Sequence, residues 1–167
     1  GAGIANVRGI EEGKADIGLA NSISTADAMD GRKPFNKPHA NVCNVASLYP
    51  QYFQFVVLAD SGIKSAADLK GKAVTTQQVG NTGQVITKDF LEASGVKYSD
   101  VKVSHVGYTD SVNQMKDGHA VAFGLNTQAP AGAVMDLAAA REIKLIGQED
   151  VYDKMLKLNP SYKLITL

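Results

Sequence analysis

Tryptophan is absent from the 167 residues, cysteine occurs once, as Cys43, and histidine three times. A single cysteine excludes an internal disulfide and any multi-cysteine metal site, yet leaves the compartment open, because many exported proteins carry no disulfide. Surplus charge is also lacking. Lys plus Arg total 17 and Asp plus Glu total 17, so no bulk field directs the chain to nucleic acid or to an anionic membrane. Long apolar runs are missing as well: Phe55-Val56-Val57-Leu58-Ala59 falls far short of the roughly 20 residues that a membrane-spanning helix needs. What is present, 44% hydrophobic and 20% charged residues, suffices for a core of one domain or two small lobes. The opening Gly1-Ala2-Gly3, without an initiator Met or a leader, and the strand-like ending Ile165-Thr166-Leu167 read as a fragment or a processed chain.

Along the chain, Ile4, Val7 and Ile10 share one helical face, and Gly13 supplies a stop before a strand-type run, Ala15 to Ala20. Ser24 or Thr25 is expected to cap a short helix over 26–29, and residues 31–41, with two prolines, form a solvated loop. Two β-rich stretches follow, Val42 to Tyr49 and Tyr52 to Ala59, with Cys43 read as a small buried hydrophobe. Ser65 and Asp68 have capping-box spacing, and Ala73 to Thr76 is a short strand. Gly80-Asn81-Thr82-Gly83 leads into an amphipathic helix over 84–94 that Gly95 ends. Strands at 101–105, 120–125 and 143–146 then alternate with helices that start near Thr109 and Pro130, and a last helix carries Val151, Met155 and Leu158. Alternation of this kind predicts an α/β fold with parallel pairing through right-handed crossovers, divided at Ala59-Asp60.

In open α/β sheets, ligands gather beyond the carboxyl ends of strands, where helix N-termini present unpaired N–H groups. Three such places carry amides and hydroxyls: Asn21 and Ser22; Thr76 with the following Gln77, Gln78, Gly80, Asn81, Thr82 and Gly83; and Asn126, Thr127 and Gln128. Uncharged donors at helix N-termini suit a carboxylate or another small anion held reversibly. The same residue types also serve as ordinary caps, so it is their coincidence that points to a site. Tyr49, at a strand end, is a candidate cleft wall. Nucleotide signatures fail: Lys72 has Ala66 where a Walker loop needs its first Gly, and a Rossmann reading of Gly1-Ala2-Gly3 meets Asn6 at its sixth position. His39, His105 and His119 have no acidic or thiol partner at relay or metal spacing, and the aspartates read as caps and turn residues. Neither a catalytic constellation nor a cofactor is expected.

Several segments resemble one family, the TAXI group of solute receptors for TRAP-type transporters. They are Asn6 to Leu19, Ala46-Ser47-Leu48-Tyr49-Pro50, the long Ala59 to Lys72 segment (Ala-Asp-Ser-Gly-Ile-Lys-Ser-x-x-Asp-Leu-Lys-Gly-Lys), and Met115-Lys116-Asp117-Gly118. The resemblance implies a type II periplasmic-binding-protein-like α/β fold, with residues 1–59 as part of lobe one, 60–160 as a complete lobe two and 161–167 as the start of the return crossover. It also implies a missing first strand and helix of lobe one. Carried over by position, the ligand-facing residues would be Asn21, Ser22, Tyr49, Thr76, Gln78, Gly80, Asn81, Thr82, Gly83, Asn126 and Thr127. The family's usual Gly-Ser-Gly-Thr loop is here Gly80-Asn81-Thr82-Gly83, which shifts the hydroxyl.

The expected function is therefore an extracytoplasmic, periplasmic receptor. It would capture a small anionic organic solute, an amino acid such as glutamate or a dicarboxylate, and deliver it to the membrane permease of a TRAP transporter. No nucleic acid partner and no catalysis are expected. Two rival readings share the fold: an effector-sensing domain of a transcription regulator, which would need a DNA-binding segment elsewhere, and a small enzyme with one acid or base in the cleft.

Overall fold

A computed structural model describes residues 3–166. Its elements in chain order are α1 (Gly3–Glu11), α2 (Ser22–Asp30), β1 (Tyr52–Leu58), β2 (Ala73–Thr76), α3 (Thr82–Ala93), β3 (Lys102–His105), α4 (Tyr108–Lys116), β4 (Ala122–Thr127), α5 (Gly132–Ala140), β5 (Ile143–Leu145) and α6 (Tyr152–Leu158). The strands form one sheet in the order β3-β2-β4-β1-β5. β2 runs parallel to β3 and β4, as the alternation of elements predicts, whereas β1 lies antiparallel to both β4 and β5. β1 precedes the alternating series to which that expectation applies. That strand enters from the long 31–51 segment rather than through a crossover helix, so nothing obliges it to run parallel. β1, on the N-terminal side of the expected division at Ala59-Asp60, belongs to the same sheet as β2 to β5.

Both faces of the sheet are covered, and this explains why Phe55 to Leu58 of β1 read as an unbroken apolar run rather than an alternation. Phe55 and Val57 enter one cluster with Val74, Ile86, Phe90 and Leu91, while Val56 and Leu58 enter the other with Val112, Met115, Phe123 and Leu137. Successive residues of a strand point to opposite faces, so β1 supplies both cores at once. α3 presses closest. A Cβ on Gly124 would stand 2.3 Å from Thr87 Oγ1, so glycine in β4 is what lets the helix approach. Ser65 and Asp68 behave as their spacing predicts. Asp68 Oδ2 accepts from the backbone N–H of Lys64 at 3.0 Å and of Ser65 at 2.9 Å, and these donors hold its carboxyl below the usual range.

Two expected strands are absent. Residues 15–20 and 42–49 are extended but join no ladder among the described residues, and their apolar side chains face out: Ile17 80%, Leu19 67%, Val45 83% and Leu48 68% exposed. Cys43 is exposed with them, not buried. Strand propensity needs a paired neighbour to become a strand, and no described strand offers these segments an edge. Residues 15–20 instead lie along α1, where Asn6 Nδ2 donates to Leu19 O at 2.8 Å. The helix expected at 26–29 is longer, Ser22–Asp30, because Asn21 rather than Ser24 or Thr25 caps it.

A buried polar network holds the segment after α6. Asn159 Nδ2 donates to both carboxylate oxygens of Asp27 at 3.0 Å, Arg32 Nε reaches the same carboxylate at 2.9 Å, and Arg32 Nη2 donates to Ser161 Oγ at 2.9 Å. Tyr162 OH donates to Asp89 Oδ2 on α3 at 2.6 Å. Burial raises the Asp89 carboxyl above its ordinary 3.8, opposed by the Tyr162 hydrogen bond and Lys88 and reinforced by Glu92 and Asp27. A carboxyl raised on folding binds its proton more tightly in the folded state. Its favourable contribution is therefore complete below pH 3.8 and fades as pH rises through the folded value. Asp89→Asn keeps an acceptor for Tyr162 and removes the buried charge. Thermal scans from pH 4 to 7 should show the variant gaining on the wild type as pH rises; an offset independent of pH contradicts this account.

Candidate functional site

The carboxyl ends of β2, β3 and β4 and the N-termini of α3 and α4 meet around one side chain, Gln77, buried just past the end of β2. Both ends of its amide are engaged. Oε1 accepts from Asn126 N at 3.1 Å, and Nε2 donates to Tyr108 OH at 2.9 Å, while Tyr108 OH donates to Asn126 O at 3.3 Å. This closed ring ties β2, β4 and α4 together. α3 joins it sterically, since a Cβ on Gly83 would stand 1.6 Å from Gln77 Oε1 and 3.1 Å from Asn126 N. Burial raises the Tyr108 phenol above its ordinary value.

In front of the ring lies a shallow depression of about 160 Å³, lined by Gln77, Gln78, Asn81, Val106, Gly107 and Tyr108. Its lining carries no formal charge. Asn81 is the N-cap of α3 and Gly107 that of α4, and no side chain caps either helix. Both helices therefore present first-turn N–H groups without the usual side-chain acceptor. An anion here would meet the positive ends of two helix dipoles, each contributing about 0.3–1 kcal/mol at an exposed position. The nearest acid is Asp110, whose Oδ2 lies 4.0 Å from where a Gly107 Cβ would be.

The structure gathers the sequence-predicted residues around the α3 N-terminus, with different roles. Gln78 and Asn81 line the depression. Gly80, at φ +86°, makes the left-handed turn into the cap, which an L side chain resists. Thr82 and Gly83 belong to the first turn of α3 rather than to a loop before it. Thr82 Oγ1 lies 2.6 Å from Ser24 Oγ, and Ser24 N donates at 3.0 Å to Asn21 Oδ1, which brings the start of α2 against that of α3. Asn126 is held by the Gln77 ring and donates through Nδ2 to Gln51 Oε1 at 3.1 Å, and Thr127 Oγ1 donates to Gln128 Oε1 at 2.9 Å. Thr76 is wholly buried, and its hydroxyl meets Thr87 Oγ1 at 2.9 Å, so it supports α3 instead of facing the depression. Ser22 is exposed on α2, and Tyr49 lies on the exposed extended segment.

Sequence reasoning named Gln77 among the residues after the strand ending at Thr76 but left it out of the ligand-facing set, and it missed Val106, Gly107 and Tyr108 altogether. The strand-end rule, applied also to the carboxyl end of β3, selects those three. Nothing local marks Gln77, because its partners lie 31 and 49 residues away.

Gly83→Ala forces Gln77 out of its ring and breaks two hydrogen bonds, at a cost of about 2–3 kcal/mol. With Gln77→Ala already in place, the same substitution should cost less than half as much. Urea unfolding of the two single variants and the double variant checks this cycle; additive costs would show that the two side chains do not meet.

The chain is similar to the periplasmic aliphatic sulphonate binding protein SsuA of Escherichia coli, with a TM-score of 0.56 and 19% identity, covering 87% of this chain and 44% of that one. It is similar to the alkanesulfonate-binding protein SsuA of Xanthomonas axonopodis pv. citri bound to MOPS, at 0.55 and 20%, covering 87% and 47%. It also resembles the substrate binding protein of an amino acid ABC transporter, at 0.55 and 20%, covering 84% and 53%. At such identities the likeness shows the fold, which is that of periplasmic binding proteins, and the chain spans about half the length of these structures. The NMT1-like family model matches residues 1–167, and the chain belongs to that family.

Proposed function

We propose that this chain is part of an extracytoplasmic solute receptor that binds a small anionic organic solute, an amino acid or a dicarboxylate, and hands it to a membrane permease. The observation that carries this reading is the convergence of three distant segments, at Asn21–Ser24, Gln77–Gly83 and Asn126–Thr127, on the uncapped N-terminus of α3. A depression lined by neutral donors fits reversible capture better than chemistry. The sulphonates and amino acids named for the relatives share a compact anionic group, which is the feature that helix N-termini accept. Charge-assisted hydrogen bonds of about 1.5–3 kcal/mol each would supply the affinity.

In this reading β1 and residues 60–160 form one lobe, the residues before Tyr52 belong to the other, and 161–166 begin the return between them. The segments quoted for the TAXI group favour a TRAP-type permease as the partner and the periplasm as the location. The ligand-facing set is then Asn21, Ser22, Gln78, Asn81, Thr82, Gly83, Asn126 and Thr127, with Tyr49 as a wall on the facing lobe.

Calorimetry of the full-length gene product against L-glutamate, other amino acids and C4 dicarboxylates tests the reading. The expected result is 1:1 binding of at least one of them with Kd of about 1 µM or below. Asn81→Asp should keep or raise Tm, because Asp is a good N-cap, while weakening that binding at least tenfold by placing a carboxylate at the α3 N-terminus. No heat with any of these solutes, or an Asn81→Asp variant that binds as well as the wild type, contradicts it.

A further inference from the structure

The polar network after α6 joins two helices whose other ends meet at the candidate site. α2 carries Asp27 near its C-terminal end, and its N-terminal turn touches α3 through Ser24 Oγ and Thr82 Oγ1 at 2.6 Å. α3 carries Asp89 two turns beyond that contact. Between the two carboxylates lie Asn159, Ser161 and Tyr162. Asn159 bonds both oxygens of Asp27 at 3.0 Å, Arg32 links Asp27 to Ser161, and Tyr162 bonds Asp89 at 2.6 Å. Asp27 is 2%, Asn159 6% and Tyr162 7% exposed, while Arg32, Asp89 and Ser161 are half-buried around them. The Tyr162 ring also belongs to the core cluster that includes Phe90 and Leu91 of α3 and has Ile23 of α2 packed against it.

Few other contacts fix α2 against α3. Besides Ile23, the small cluster of Ile4, Val7, Ala28 and Phe35, with Val85 of α3 packed on it, joins the α1–α2 pair to α3. Buried ion pairs and their hydrogen bonds add specificity of position more reliably than stability, because desolvation offsets much of their attraction. An interior Asp27 held by Asn159 and Arg32 is suited to setting where α2 sits.

We propose that Asn159–Tyr162 is a strap that fixes α2 against α3 and so sets the spacing of their N-termini at the candidate site. Asn159 and Tyr162 are positioning residues in this arrangement, remote from the depression and in contact with none of its lining. A solute that needs both helix starts would feel the strap through this spacing. The inference goes beyond the receptor reading and stands or falls on the chain alone, whether or not a solute is found.

Amide hydrogen exchange on Tyr162→Phe and Asn159→Ala tests it. Tyr162→Phe keeps the buried ring and removes only the bond to Asp89, so it remains a usable variant if Asn159→Ala does not fold. The informative amides are Ser24 and Thr25, which bond Asn21, and Gln84 and Val85, which bond Asn81 O. Exchange at these four should speed at least tenfold in Tyr162→Phe. Ser111 of α4 and Met135 of α5, each bonded to the start of its own helix, should keep wild-type protection. Unchanged exchange at Ser24 and Val85, or an equal loss of protection in all four helices, would overturn the strap. The first outcome means that the helix starts do not depend on it, and the second reduces it to a general stabiliser.

Discussion

The arrangement depends on how closely α3 lies against the carboxyl ends of β2 and β4. Two glycines make the approach possible, Gly83 in the helix against Gln77 and Gly124 in the strand against Thr87. Thr76 and Thr87 fill the remaining space with hydroxyls that satisfy each other and, through Thr87, the Gly83 carbonyl at 2.7 Å. Buried polar groups are tolerable only when paired, and here the pairing also fixes the helix axially. The first turn of α3 is thereby delivered to the rim of the sheet behind Asn81, which lines the depression and makes no side-chain cap.

Much of this fold was legible because the signals are local. The strand Ala73–Thr76 matches its expected bounds, α3 ends before Gly95 as its C-terminal glycine predicts, and Asp68 caps the turn at Ser65. The stripe of Ile86, Phe90 and Leu91 on α3 is the core face. What escaped was set by distant partners. The antiparallel direction of β1 depends on which strand it meets, not on its own residues, and the ring around Gln77 depends on Tyr108 and Asn126 arriving from separate crossovers.

The stretches 15–20 and 42–49 show the same limit from the other side. Their residue types favour strands, yet strand formation is a property of pairs, and among the described residues neither has a partner. Cys43, Val45 and Leu48 are exposed for that reason. The strand-end rule selects Asn81, which lines the depression, and Asn126, which is bound to Gln77 behind it. Its omission at β3, where no amide or hydroxyl drew notice before Tyr108, cost the sequence reading half of the depression's lining.

A crystal structure of the full-length protein with its solute bound is the most direct test of the account. The solute's anionic group should lie within hydrogen-bonding distance, about 2.7–3.2 Å, of a backbone nitrogen in the first turn of α3, beside Asn126 and Thr127. A solute seated elsewhere, with the start of α3 left facing bulk water, would contradict it.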